Sequence, residues 1–314
     1  MKHRSIFAFS QKAILFLLLL WSVDRGIGAV FVALKDYGLK VNPENMWLKT
    51  PFVVEKVSTD VVIIGSSKAS HHYVPSILSD SLDMSVYNGG QDGCFFLYQN
   101  CLINMLVDRF HPKMIIWDIQ PSSFYGGNSA TEYQNFRYLS PYYQKNQWAT
   151  EYINSESEKM RFRMLSEMFA YNSKSLNYLF PLILHASSTY EGYIPLENEG
   201  YEYPSLCETT QVSEEKYVPM ENELALLAQT IQRCNNKHIR LCLFISPEYS
   251  LKSHAYQSAV KDLQEVAKKN GVDCYDYSSN VVFLNDSTLF KDINHLNDKG
   301  ARLFTDSILR KIVI

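Results

Sequence analysis

The sequence predicts an α/β protein, a three-layer α/β/α domain on a five-stranded parallel sheet, preceded by an apolar N-terminal helix and interrupted by a Tyr-rich insertion. Three observations predict it. Five short apolar runs read as strands buried on both faces. Helical patterns of 15 or so residues fall between them, the alternation that builds a parallel sheet covered on both sides. Only the N-terminus holds a long apolar run, so a polytopic membrane protein is excluded. The chain has 314 residues, is 46% hydrophobic and 20% charged, and carries a formal net charge of -3. That composition excludes a disordered chain, and the near-neutral balance excludes a general nucleic-acid binder, which needs a basic face.

Residues 1–35 read as a membrane segment. Lys2, His3, Arg4 and Lys12 precede the run AILFLLLLWSV from Ala13 to Val23, and Asp24 and Arg25 interrupt the apolar pattern before Gly26–Leu34. The stretch from about Ile6 to Val23 fits an uncleaved signal anchor. A signal peptide cut near Gly28-Ala29 and a buried core helix are the competing readings. With the basic flank first, the body is expected outside the cytoplasm, on the periplasmic side. Residues 36–58 read as a stalk.

The main domain is expected over 59–314. Its strands are Asp60–Gly65, Met84–Asn88, Lys113–Asp118, Ile239–Ser246 and Val272–Tyr275. Helical patterns cover Phe95–Phe110, Met220–Asn235, His254–Lys269 and Asn297–Ile312, and right-handed crossovers between parallel strands give the three layers. The alternation breaks from residue 121 to 218, where 12 of the 21 tyrosines lie between Tyr125 and Tyr203 and one long helix is expected near Glu156–Leu184. An insertion after a central strand is expected beside the strand C-terminal ends, as a cap. Its aromatic residues Phe136, Tyr138, Tyr142, Tyr143 and Trp148 suit either sugar stacking or the cap's own small core. Six Cys, at 94, 101, 207, 234, 242 and 274, show no C-x-x-C pair, so zinc-site and thioredoxin spacings are absent. An even count in an exported chain permits disulfides, while Cys242 inside RLCLFIS reads as core.

Two segments carry chemistry. The turn after the first strand reads Gly65-Ser66-Ser67-Lys68-Ala69-Ser70-His71-His72. It sets a serine at a strand C-terminus, where α/β enzymes hold reactive groups. A helix N-cap is the competing reading. Near the end, Asp292-Ile293-Asn294-His295 precedes the final helix, and a carboxylate three residues from an imidazole can fix its tautomer. His71 and His72, beside the serine, and Glu248, after the fourth strand, are candidate substrate contacts. No P-loop, H-E-x-x-H, EF-hand or dinucleotide fingerprint is present, and neither a cofactor nor a metal is expected.

The Gly-Ser-Ser turn and the closing D-I-N-H-L-N-D-K-G-A resemble the SGNH/GDSL hydrolase superfamily, whose blocks read Gly-Asp-Ser and Asp-x-x-His. The resemblance runs from about residue 58 to 314 outside the insertion. It implies a flavodoxin-like sheet (the SGNH hydrolase fold), Ser67 as nucleophile, His295 as general base and Asp292 as its orienting carboxylate, with Ser66 in place of the family's Asp. Asn88-Gly89-Gly90-Gln91-Asp92-Gly93 resembles the family's second block, which makes Gly93 an oxyanion-hole donor with Gly90 the fallback. Ser67 contributes its own N–H to that hole. The third block departs: Trp117-Asp118-Ile119-Gln120 lacks the usual Asn, and Gln120 is the available amide. Loss of one oxyanion donor costs about 10²–10³ in rate.

The resemblance and the anchored layout imply a serine esterase or O-acyltransferase, most simply of acetyl groups, acting on an envelope or exported polysaccharide. Similar departures occur in polysaccharide O-acetylation proteins and the D-alanine-transfer protein of teichoic-acid operons. The implied partners are an envelope carbohydrate or acyl donor, the membrane, and a partner membrane protein in acyl transfer; nucleic acid is not among them. The competing readings are a non-catalytic polysaccharide-binding or assembly protein on the same fold, and a lipid-directed esterase.

Overall fold

The structure is a computed structural model that describes residues 2–126, 135–171, 177–179, 189–197 and 216–313. Cys207 and much of the Tyr-rich insertion lie outside these residues. The chain divides into two compact units, one of Met1–Pro43 with Phe136–Ala186, the other of Glu44–Asn135 with Ser187–Ile314.

The second unit holds the predicted sheet. Its strands are β1 (Val61–Ile64), β2 (Val86–Asn88), β3 (Met114–Asp118), β4 (Arg240–Ile245) and β5 (Cys274–Asp276). They are all parallel, in the order β2-β1-β3-β4-β5. This is the flavodoxin-like order expected for the chain. β1 and β3 read VVII and MIIWD, and every residue in them is buried, as β-branched strands covered on both faces must be. The helices between the strands are Phe96–Arg109, Glu221–Asn236, His254–Lys269 and Asp298–Ile312, each within a residue of its expected bounds. One apolar cluster joins Val61, Ile63, Ile116 and Phe244 of the sheet to Phe304, Ile308 and Ile312 of the last helix. The segment expected as a stalk carries the helix Lys49–Glu55, with Val53 and Val54 buried.

The strand order creates a crevice. The chain leaves β1 toward β2 on one side, and β3 lies on the other, so the loops after β1 and β3 part at their C-terminal ends. The segments Gly65–His72 and Ile119–Phe124 begin at that parting.

The first unit is built on the helix Lys2–Val41. Its portion Ile6–Val41 is long and apolar enough to cross a membrane, and none of the window that meets this test is buried. The long helix expected near Glu156–Leu184 is replaced by shorter ones, Gln147–Glu156, Glu158–Arg163 and Glu167–Tyr171; residues 172–176 and 180–184 lie outside the described set. Ser157 breaks the first pair with extended backbone. The third helix takes its N-terminal cap from elsewhere in the chain. Asp24 accepts from Ser166 Oγ at 2.5 Å and from the backbone N–H groups of Glu167 and Met168 at 2.9 and 3.0 Å. A carboxylate there satisfies the orphan donors of a first turn.

Candidate active site

Ser67 opens the short helix Ser67–His72, directly after the turn out of β1. Gly65 is required at that turn: a Cβ there would lie 2.5 Å from Ala69 Cβ and 2.9 Å from Asp118 Cβ. Gly90 lets the loop after β2 lie against the same helix, since a Cβ would sit 2.4 Å from Ser70 N. Asn88 ties the two together. Its amide donates to the carbonyls of Ala69 and Tyr73 at 2.7 and 2.9 Å, and its Oδ1 accepts from Gly90 N. Gly90 has therefore already given its N–H to Asn88. Gly93, the expected oxyanion donor, is exposed at a φ of 69°, and its carbonyl accepts from Asn135 at 2.6 Å.

The loop before the last helix meets Ser67. His295 Nε2 lies 2.8 Å from Ser67 Oγ, and His295 Nδ1 lies 2.9 and 2.8 Å from the two carboxylate oxygens of Asp292. The three residues expected from distant parts of the sequence thus form one continuous hydrogen-bonded chain. Asp292 Oδ1 also accepts the backbone N–H groups of Asn294 and His295, at 2.8 and 2.9 Å. Burial raises the Asp292 pKa, but the His295 ring and those N–H groups outweigh it, so the carboxyl is held below its usual range and stays ionised at neutral pH. Buried Phe290 and Leu296 anchor the loop on either side.

His72 supports this loop from beneath. It is fully buried, and its Nε2 accepts the N–H of Leu296 at 2.9 Å. It has no exposed surface with which to meet a substrate. Burial, then the Lys68 charge, then the neighbouring His295 and His71 rings push its pKa well below 6.5. The unfolded chain therefore takes up a proton near pH 6.5 that the folded protein refuses, so stability falls as pH drops below that value. Between about pH 7 and about pH 5, Tm is expected to fall more steeply in the wild type than in His72→Gln. Parallel slopes would show that this group does not titrate on unfolding. His71 is also buried; its Nδ1 lies 2.7 Å from the carbonyl of Ile194 and its Nε2 3.3 Å from Asp92.

Gln120, at the end of β3, donates from its amide to Ser66 Oγ at 2.7 Å. One amide hydrogen remains for another acceptor. Ser66, standing where the resemblance places an Asp, thereby fixes the side chain that follows the third strand.

Sequence reasoning missed a buried charge network beside Ser67. Lys68 and Lys252 both pair with Glu248. The lysine side chains are 6% and 4% exposed and that of Glu248 15%. The Glu248 carboxylate is thus committed to two ammonium groups rather than offered to a substrate. Next to it Asp118 accepts from Ser246 at 2.7 Å, and its other oxygen is buried with no partner among the described residues. Burial pushes the Asp118 pKa up against the pull of Lys68, and burial pushes Lys68 down. The network links the ends of β1, β3 and β4. The sign available in the sequence was a lysine next to the candidate serine, and it needed the strand order to be read.

Comparisons with known proteins add little to this geometry. A family model without a descriptive name matches residues 207–314. No curated protein matches the chain. Among solved structures, a gut microbial diltiazem-metabolizing enzyme is 11% identical with a TM-score of 0.40. That match covers 80% of this chain and 46% of the other, so this chain spans less than half of that protein's length. A protein provisionally named a platelet activating factor, from Streptococcus pneumonia, is 12% identical over 90% of this chain and 98% of its own, with a TM-score of 0.43. At such identities and scores these likenesses carry no argument about chemistry.

Proposed function

We propose that this chain is a serine esterase or O-acyltransferase of SGNH type, with Ser67 as nucleophile, His295 as general base and Asp292 as the group that orients it. The observation that carries the reading is the unbroken contact from Ser67 Oγ through the His295 ring to Asp292, 2.8 Å at each end. In this reading His295 Nε2 takes the Ser67 proton as Oγ attacks an ester carbonyl. The N–H groups of Ser67 and Gly93, with the spare amide hydrogen of Gln120, receive the oxyanion. His295 then returns the proton to the departing alcohol. The acyl group leaves Ser67 for water in an esterase, or for a sugar hydroxyl in a transferase. An acetyl ester of an envelope or exported polysaccharide is the substrate we assign, supported by the resemblance in the two site segments and by a helix able to hold the chain at a membrane.

A fluorophosphonate probe on the full chain in detergent tests the reading. Wild type is expected to label and Ser67→Ala to remain unlabelled. A folded wild type that resists the probe would favour a polysaccharide-binding protein on this fold.

A further inference from the structure

We propose that residues 158–171 form a membrane-contacting platform, seated against the exit of the N-terminal helix and facing an anionic phospholipid surface. The argument begins with an attachment. Arg25 pairs with Asp24 at 2.8 Å and with Glu167 at 3.0 Å, while Asp24 caps the Glu167–Tyr171 helix. At Gly28 the approach is so close that a Cβ would lie 2.5 Å from Glu167 Cβ. Phe31 stacks on Tyr171 at 5.9 Å. The segment is therefore held to the N-terminal helix over positions 24 to 31. The apolar run Ala13–Val23 ends one residue earlier. With Ile6–Val23 as the span, the segment lies at the bilayer's edge.

The segment carries the side chains that such a position requires. Phe162, Leu165 and Met168 are 77%, 64% and 46% exposed, an apolar surface that none of the described residues covers. Lys159, Arg161 and Arg163 are exposed beside them. Apolar side chains interleaved with cations suit a headgroup–acyl boundary, where the rings enter the chains and the cations meet phosphates. Trp21, 62% exposed on the last turn of the apolar run, has the residue type favoured at that depth. Between Trp21 and the segment lies a cleft of about 380 Å³, lined also by Arg25, Lys145 and Leu165. Arg25 Nε is buried there with no partner among the described residues.

The test uses the full-length chain in vesicles of phosphatidylcholine and phosphatidylglycerol, with and without brominated acyl chains. Phe162→Trp and Leu165→Trp each add one indole at an exposed position, and subtraction of the wild type isolates its emission. Trp21→Phe isolates Trp21 in the same way. Bromolipid is expected to quench Trp21 and the added indole at 162 or 165, and the vesicles to shield that indole from aqueous iodide. Indoles at 162 and 165 that bromolipid leaves unquenched while iodide quenches them as in detergent would overturn the proposal. Failure to quench Trp21 would overturn it as well, because the helix would then not hold the segment at the bilayer.

Discussion

Replacing Asp292 with Asn is expected to slow phosphonylation of Ser67 by about 10³–10⁴-fold, with the fold intact. The reason lies in which carboxylate oxygen holds what. Asp292 Oδ1 accepts two backbone N–H groups, from Asn294 and His295, and these fix an oxygen at that place. The Asn variant must therefore keep its carbonyl there and turn its amide NH₂ to the position of Oδ2. That position faces His295 Nδ1 at 2.8 Å. An NH₂ group can only donate, so at the nearer position it competes for the Nδ1 lone pair against the retained oxygen 2.9 Å away and draws the imidazole proton toward Nε2. Nε2 then presents a hydrogen to Ser67 Oγ instead of a lone pair, and the base is lost without any change of shape. The check is the second-order labelling rate beside a circular dichroism spectrum. A rate within about threefold of wild type would remove Asp292 from the mechanism, since positioned general-base systems contribute at least about 10².

The parts of this site legible in the sequence were those set by local rules. The five apolar runs became the five strands because β-branched stretches bounded by turns have few other buried forms. Ser67, Asp292 and His295 were found because they stand at a strand exit and before a final helix, positions visible without a sheet order. The sense of His72 and Glu248 was not legible. Both read as rim residues, and each is engaged by a partner far along the chain: Leu296 for the buried His72, Lys68 for the partly buried Glu248. Nothing local in the sequence says that the end of β4 lies across β3 from the end of β1. The expected long helix near Glu156–Leu184 failed for a related reason. Its periodicity is real, but the Glu167–Tyr171 helix begins where Asp24, more than 140 residues earlier, supplies the cap.

Glu248→Gln is expected to destabilise the sheet-bearing unit by about 3–5 kcal/mol, because it leaves two buried ammonium groups without their anion. At roughly 2–4 °C per kcal/mol for a unit of this size, Tm falls by about 10 °C. The opposite deletion is expected to cost far less. Lys68→Met keeps the Lys252–Glu248 pair and removes the cation that holds Asp118 ionised. Burial already pushes the Asp118 pKa up, so that carboxyl takes a proton and the site becomes neutral at a cost below about 1.5 kcal/mol. The asymmetry follows from how many groups must discharge. Loss of Lys68 asks one buried carboxyl, Asp118, with its pKa already raised, to take a proton, whereas loss of Glu248 asks two ammonium groups, Lys68 and Lys252, each already pushed down to about 7 by burial, to shed one. In the double variant Lys68→Met/Glu248→Gln only Lys252 is left to discharge, so the loss is expected to be smaller than for Glu248→Gln alone, a coupling of about 1–3 kcal/mol by a double-mutant cycle in urea. Additive single effects would mean that Glu248 stabilises the unit through packing and that its pairing with Lys68 contributes nothing. Because Lys68 follows Ser67 in the same short helix, the cycle also bears on the site: a Glu248→Gln protein that remains folded should label more slowly, while Lys68→Met should label at close to the wild-type rate.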